Sequence, residues 1–356
     1  MIKKIIIILM LALLNACPVI AYEIVWERTS GPYGGYIEPY VENNISWLNY
    51  KKIIATYESG NLVVYRTTQG RGVAKSVDGG ITWSMMSGDP NDSSNDGLVH
   101  KTTSTLCFDP SDSSRIFAGT VGMLYMTEDA GVNWSAIGNT LSNKTVYSIA
   151  VDGNKIFAVF FGDLYRLDLD DVSPTWESID SSFAFSTRTI THDPINQRLY
   201  AVCHSPAFYV STNEGDSWSL KWSKPSAQTS GYFVEMIKYP SSTEIYVEDG
   251  KNVVRSIDGG ETWIDDLKYS DYRYNLAINP GNPDFAFSFY GTDYTKLKRT
   301  TDHGASWAIK NSGLPTITSG GPRYTAELIV PNPDYPGSPS VFVVSSNGLY
   351  LINSIN

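Results

Sequence analysis

The amino-acid sequence predicts an all-β protein, folded as a single seven-bladed β-propeller. Three observations support this prediction. The composition is rich in aromatic residues, a short turn pattern recurs five times, and neighbouring copies of the pattern lie about 45 residues apart.

The composition is that of a well-packed β protein. Hydrophobic residues make up 42% of the 356 residues and aromatic residues 13%, whereas charged residues make up only 18%. Aromatic and β-branched side chains favour strands. The formal net charge of −10 disfavours nucleic acid and anionic membrane surfaces as partners, because both would on average repel the chain.

The turn pattern reads Ser/Thr, any residue, Asp/Asn, any residue, Gly, any residue, Ser/Thr/Asn, Trp. Its copies are 76–83, 127–134, 211–218, 256–263 and 300–307. Asn213 and Asp258 are 45 residues apart, and Asp258 and Asp302 are 44 apart. The 84 residues between Asp129 and Asn213 are almost two periods, which predicts a degenerate copy between them. It lies at 165–176, where Trp176 keeps the place of the final Trp.

Each period also repeats a rhythm of short strands and turns, as in 104–109, 115–120 and 123–127. Four short strands per period are typical of a propeller blade. After the last copy, 324–330, 341–345 and 348–353 supply three strands of a further blade. We expect the lone strand 23–28 to complete this blade and close the ring, because closure removes an exposed sheet edge.

The first blade is less regular. The segments 35–43, 52–57 and 61–67 offer one strand more than the blade needs before its turn, which predicts an inserted hairpin.

The N-terminus has the order of a secretory signal, with Lys3 and Lys4 before an apolar run and then small residues. Cleavage after Ala21 would leave residues 22–356 as the mature propeller, exported from the cytoplasm. The segment ending at Cys17 also resembles a bacterial lipobox, so a lipid-anchored surface protein is the alternative. No later segment is apolar enough to predict a membrane span.

The repeated pattern resembles the Asp-box, or BNR repeat, of sialidases, xyloglucan-cleaving glycoside hydrolases, sortilin-type receptors and photosystem assembly factors. The resemblance implies a propeller with these turns at its rim, away from the central mouth. An Asp can accept backbone N–H bonds across its own turn, Gly supplies a positive φ, and Trp buries a large ring. The residues with this structural role are Asp78, Trp83, Asp129, Trp134, Asn213, Trp218, Asp258, Trp263, Asp302 and Trp307.

Candidate ligand-binding residues lie where the innermost strands are expected to begin, around one mouth of the channel. Tyr and Arg there could stack on sugar rings, bind carboxylates or hold a protein segment. The alternative is that strand ends are simply polar. The candidates are Tyr36, His100, Tyr147, Arg188, Glu235, Tyr272, Arg273, Arg323 and Tyr324, with Glu38 and Tyr232 beside them.

A sialidase-like site would need three converging Arg, an Asp and a Tyr supported by Glu. Arg188, Arg273, Arg323, Tyr324 and Glu235 could form such a set, but no Arg-Ile-Pro motif precedes the repeats, and sialidase propellers have fewer blades.

Xyloglucanases with this repeat carry Asp-Val-Gly-Gly before their first Asp-box. Here Gln69 stands near that Asp, and an amide cannot act as a general base. Those enzymes also pair two propellers around a cleft, whereas this chain is long enough for one.

We therefore expect a non-catalytic binding propeller that recognises a protein segment or a glycan at the channel mouth, with a glycoside hydrolase using the same mouth as the alternative. No cofactor or metal is expected, since no ligand spacing for one is present. We expect a monomer. Cys107 and Cys203 fall in blades that are not adjacent, which predicts two unbridged, largely buried thiols.

Overall fold

The computed structural model describes the chain from the N-terminal strand to the last strand, with gaps. The described residues are 27–28, 52–68, 71–86, 97–100, 102–141, 144–179, 183, 186–203, 207–223, 235–238, 244–248, 253–267, 273–279, 284–290, 296–302, 305–309, 324–330, 340–345 and 348–352. The predicted signal segment 1–21 and the predicted hairpin strand 35–43 lie outside them. Within the described part, no helix is long and apolar enough to cross a membrane.

The described strands form four-stranded antiparallel sheets, and in every one of these sheets except the last the neighbouring strands are consecutive in sequence. Blade 1 contains β2 (Ile53–Glu58), β3 (Asn61–Thr68), β4 (Gly72–Ser76) and β5 (Ser84–Met85). Blade 2 contains β6 (Thr105–Asp109), β7 (Asp112–Gly119), β8 (Leu124–Thr127) and β9 (Ser135–Ile137). Blade 3 contains β10 (Val146–Asp152), β11 (Lys155–Phe160), β12 (Asp163–Asp168) and β13 (Glu177–Ser178).

Blade 4 contains β14 (Thr187–Asp193), β15 (Arg198–Cys203), β16 (Ala207–Ser211) and β17 (Ser219–Ser223). Blade 5 contains β18 (Glu235–Lys238), β19 (Ile245–Glu248), β20 (Val253–Ser256) and β21 (Ile264–Leu267). A further sheet contains β22 (Arg273–Ile278), β23 (Ala286–Tyr290), β24 (Lys296–Thr300) and β25 (Ala308–Ile309). In the last sheet, β1 (Glu27–Arg28) joins β26 (Tyr324–Val330), β27 (Ser340–Ser345) and β28 (Gly348–Ile352).

The N-terminal strand has the partner that the sequence predicts for it. β1 pairs antiparallel with β28, with Glu27 opposite Leu351 and Arg28 opposite Tyr350. A strand from the start of the chain therefore occupies the outer edge of the last sheet, which would otherwise present unpaired backbone groups.

The prediction of a seven-bladed propeller needs correction. The described hydrophobic cores form five clusters, and these run through blades 1 to 5, where side chains of one blade pack against those of the next. The two further sheets are defined by strand pairing, without such a described cluster. The packed arrangement thus consists of five blades, because a blade is stabilised by face-to-face burial of its side chains and not by backbone pairing alone.

Alternating apolar residues explain this packing. In blade 3, Phe157 and Val159 point into the cluster shared with blade 4, whereas Ile156 and Phe160 point into the cluster shared with blade 2. Successive side chains of a strand face opposite sides of its sheet, so a strand with both faces covered is apolar throughout.

Cys107 and Cys203 lie in these strands as thiols. Cys107 lies in β6, and burial raises its pKa to about 12. Cys203 ends β15 and is completely buried. Burial in apolar surroundings makes a thiol unreactive, because the thiolate is the reactive form.

Candidate functional site

The Asp-box turns join the third and fourth strands of their blades, on the face that we call the Asp-box face. In the first copy, the Ser76 hydroxyl donates to Asp78 Oδ1 at 2.7 Å and accepts the N–H of Gly80 at 2.7 Å. Asp78 Oδ1 accepts the N–H of Thr82 at 2.8 Å. Gly80 has a φ of 95°, a conformation that other residues adopt only at a cost.

The same geometry recurs in the other copies. The third residue of the pattern accepts the N–H of the residue four positions later, at distances of 2.8, 3.0, 2.8 and 2.8 Å for Asp129, Asn213, Asp258 and Asp302. The side-chain and backbone hydrogen bonds from Thr262 lower the pKa of Asp258 to about 2. These side chains are occupied by their own turns, as the sequence predicts, and are therefore not available as catalytic groups.

The tryptophans of the turns have similar partners. The indole N–H groups of Trp83, Trp134 and Trp263 donate to the carbonyl oxygen three residues earlier, at 2.9 to 3.0 Å. Trp218 donates instead to Ile179 O at 2.8 Å. Trp134 is buried, whereas Trp83, Trp218, Trp263 and Trp307 are half-buried.

The degenerate copy in blade 3 keeps the tryptophan but not the turn. Asp168 Oδ1 accepts the N–H of Asp170 at 3.0 Å, and the backbone N–H of Trp176 donates to Asn139 Oδ1 of blade 2 at 2.9 Å. The Trp176 ring is buried against Phe160, with ring centroids 4.9 Å apart. Although the sequence of this turn differs from the pattern, the Trp176 ring is still buried in the core.

The opposite face, which we call the mouth face, carries the beginnings of the first strands. There, backbone hydrogen bonds join each blade to the next. The N–H of Val146 in blade 3 donates to Thr120 O of blade 2 at 3.0 Å, and the N–H of Thr187 in blade 4 donates to Gly162 O of blade 3 at 2.7 Å. These bonds fix where β10 and β14 begin.

Tyr147 and Arg188 directly follow these two anchored residues. The strand register shifts at both positions, between Val146 and Ser148 and between Thr187 and Thr189. Such β-bulges redirect a side chain and are common beside functional sites.

Tyr147 and Arg188 lie at equivalent positions of the adjacent strands β10 and β14, which the Ser148 hydroxyl joins through its hydrogen bonds with Ile190 O and the Ile190 N–H at 3.3 and 3.2 Å. Burial raises the pKa of Tyr147, and the positive charge of Arg188 opposes this shift. The Tyr147 ring also lies 6.0 Å from that of Phe161, measured between centroids. Phe161 is 62% exposed at the hairpin between β11 and β12. Two aromatic rings and one guanidinium group therefore share one part of the mouth face.

This cluster has capacity for a ligand. Arg188 Nε is buried and has no hydrogen-bond partner among the described residues. Buried polar atoms are usually paired, so an unpaired guanidinium nitrogen is unusual. Phe161 has a φ of 50°, which for a bulky non-glycine residue is strained and is often found at functional sites.

His100 is placed differently from the prediction. It lies before β6, which begins at Thr105, and its ring packs 6.5 Å from that of Tyr125. The position equivalent to Tyr147 is occupied by Ser104, because its neighbour Thr103 makes the bond to blade 1, with its N–H 3.3 Å from Thr68 O. The Ser104 hydroxyl is buried and donates to Val146 O at 2.6 Å.

The structure describes only some of the remaining candidates. Glu235, Arg273 and Tyr324 begin β18, β22 and β26. Tyr36, Glu38, Gln69, Tyr232, Tyr272 and Arg323 lie outside the described residues.

Sequence reasoning missed Phe161 and its neighbours Lys144 and Asp163. Lys144 Nζ donates to Asp163 Oδ2 at 2.5 Å and to the Tyr165 hydroxyl at 2.9 Å. The signal for Phe161 was a second aromatic residue directly before Gly162, at a hairpin tip where polar residues are usual. Among the described residues, no group of three His, Cys, Asp or Glu side chains could hold a metal ion.

The blades and their turns define the class of this protein, an Asp-box β-propeller. The chain belongs to the family described as Photosynthesis system II assembly factor YCF48, whose model matches residues 76–292. That range covers more than half of the chain and begins at the first residue of the first Asp-box.

The chain is also similar to an enzyme. A xyloglucanase of Hypocrea jecorina (strain QM6a) is 25% identical over 216 residues, which cover 49% of this chain and 26% of the xyloglucanase. This chain therefore matches about a quarter of that relative's length.

Solved structures share the fold. YCF48 from Cyanidioschyzon merolae is 13% identical with a TM-score of 0.57, covering 86% of this chain and 96% of that one. A GH74 xyloglucanase from Xanthomonas campestris is 15% identical with a TM-score of 0.60, covering 85% of this chain and 54% of that one. At such identities the likeness concerns the fold alone.

Proposed function

We propose that this chain is an exported, non-catalytic binding propeller that holds a protein segment on its mouth face. The observation that carries this proposal is the cluster of Tyr147, Phe161 and Arg188. An exposed aromatic ring beside a guanidinium group is typical of a binding hot spot, since both side chains contribute strongly when a partner covers them.

The family supports a protein partner. Its description is that of an assembly factor, and we infer that such a factor would bind a protein that it helps to assemble. Arg188 would bind a carboxylate or a backbone carbonyl of the segment, and Tyr147 with Phe161 would pack against an apolar side chain. A glycan is the second ligand class, because aromatic rings also stack on sugars.

Hydrolysis is the competing activity, because the chain is similar to a xyloglucanase over about half of its length. A glycosidase needs two carboxyl groups about 5 to 10 Å apart across the substrate. The described carboxylate near the cluster, Asp163, is paired with Lys144. One carboxylate held in an ion pair does not supply the two carboxyl groups that this chemistry needs.

The test uses residues 22–356 on a peptide array and a glycan array, with a parallel assay for reducing sugars released from xyloglucan. We expect peptide binding without sugar release, and loss of binding in Arg188→Ala. Lys221→Ala is the matched control, since it removes one positive charge from an exposed ion pair with Glu261. Xyloglucan turnover, or equal effects of both variants, would overturn the proposal.

A further inference from the structure

A cleft lies on the Asp-box face, between blades 3 and 4. Its volume is about 320 Å³, and its walls include Asp152, His192, Arg198 and Glu214. A cleft of this size has room for a small organic group. Asp152 and His192 are at the ends of β10 and β14, far along these strands from Tyr147 and Arg188.

The imidazole of His192 is the least satisfied polar group in this cleft. Its side chain is only 7% exposed, and its Nε2 lies 3.4 Å from Asp152 Oδ2. Its Nδ1 is buried and has no hydrogen-bond partner among the described residues. A buried polar atom without a partner is unfavourable, so His192, a residue of the cleft wall, keeps unused hydrogen-bonding capacity.

The other carboxylates of the cleft already have cationic partners. Glu214 pairs with Lys155, and Asp216 pairs with Arg166 at 2.7 Å. Asp152 differs from them, because the basic group described beside it is the imidazole of His192 and not a Lys or Arg side chain. Its side chain is 33% exposed, so the carboxylate can be reached from solvent.

We infer that this cleft binds a compact organic cation, such as the ammonium group of a small amine or of a lysine side chain. The ammonium group would donate to Asp152, the carboxylate that lacks a Lys or Arg partner in the described structure, and its alkyl part would fill the space beside Leu199. The acidic net charge of −10 would raise the local concentration of such cations. This site is separate from the proposed site on the mouth face.

The experiment is a titration of the full mature chain with n-butylammonium, followed through the ring C–H resonances of its histidines. The chain has four histidines, so His100, His204 and His303 serve as internal references. n-Butanol, which has the same alkyl chain without the charge, is the neutral control. We expect a saturable shift of the His192 resonances with n-butylammonium and no saturable shift with n-butanol.

Two variants locate the charge that matters. Asp152→Asn should weaken binding by about tenfold or more. Asp170→Asn removes a charge from the same blade and face, from a side chain that bonds Asn154 outside the cleft, and should change the affinity less than about twofold.

Three results would overturn the inference. They are an unchanged His192 signal in the unmodified protein, equal responses to the amine and the alcohol, and equal losses in the two variants. The first two need no variant, so they stand even if Asp152→Asn does not fold. Mouth-face variants such as Arg188→Ala should leave this titration unchanged. A failed titration would therefore count against the cation site and not against the proposed function.

Discussion

The polar groups of the Asp-box face are bonded within their own turns, whereas a polar group of the mouth face lacks a described partner. On the Asp-box face, Ser76 and Asp78 bind the backbone of their own turn. The bond of Asp78 recurs in four other copies, and that of Ser76 is described in three of them. On the mouth face, Arg188 Nε has no partner among the described residues, and Phe161 is exposed at a strained φ. The repeated residues thus bond within their own turns, whereas the proposed binding site uses residues that are not repeated.

We therefore expect substitutions on the Asp-box face to lower the free energy of unfolding more than substitutions on the mouth face. The largest effect is expected for Trp263→Ala. Trp263 of blade 5 packs against Phe208 of blade 4, with centroids 4.7 Å apart, so its removal leaves a gap between two blades. We expect a loss of about 3 kcal/mol in the free energy of unfolding, measured by urea denaturation.

Leu220→Ala is the control for this variant. Leu220 is 53% exposed on β17, so its truncation should cost less than about 1 kcal/mol. Equal losses in the two variants would show that the Asp-box tryptophan does not join the blades.

A smaller loss in the free energy of unfolding is expected when the turn residue Asp258 is substituted. Asp258→Ala removes the acceptor of the Thr262 N–H, which should cost about 1 kcal/mol. Asp258→Asn should cost less, because Asn213 naturally makes the corresponding bond to the Ser217 N–H at 3.0 Å. If Asp258→Ala and Asp258→Asn lower the free energy of unfolding equally in urea denaturation, the negative charge of Asp258 stabilises the turn and its role as a hydrogen-bond acceptor does not.

The pH dependence of the same turn has a definite sign. The pKa of Asp258 is lowered in the fold to about 2, from an ordinary value near ~4, so its contribution to stability is fully present above pH ~4. It is lost as the pH falls from ~4 to ~2. The difference in urea midpoint between the unmodified protein and Asp258→Asn should therefore shrink over that range, and a constant difference would contradict this.

The smallest effect on stability is expected on the mouth face, for Phe161→Asn. Asn tolerates the positive φ of 50° better than Phe, and the exposed ring contributes little to the core. We expect a change within about 0.5 kcal/mol together with a clear loss of peptide binding. A large loss of stability would show that Phe161 belongs to the core.

Much of the Asp-box face could be predicted from the sequence because its turns are local. The acceptor role of Asp78 and the positive φ of Gly80 follow from residue types within one turn. The degenerate copy ending at Trp176 followed from the period alone. The bonds of Ser76 were missed, although the pattern conserves a hydroxyl at that position in each of the five copies.

The mouth face and the number of packed blades could not be predicted as well, because both depend on contacts between blades. His100 was placed wrongly, since the bond between Thr103 and Thr68 sets the start of the first strand and no local pattern reveals it. The bulge at Tyr147 and the exposure of Phe161 also arise from contacts between segments.

The most direct test of the account is isothermal titration calorimetry of the tightest peptide from the array with the unmodified chain, Arg188→Ala and Lys221→Ala. We predict a Kd at least about tenfold higher for Arg188→Ala and within about twofold of the unmodified value for Lys221→Ala. Unchanged affinity in Arg188→Ala, or a larger loss in Lys221→Ala, would place the binding site away from the mouth face and contradict the account.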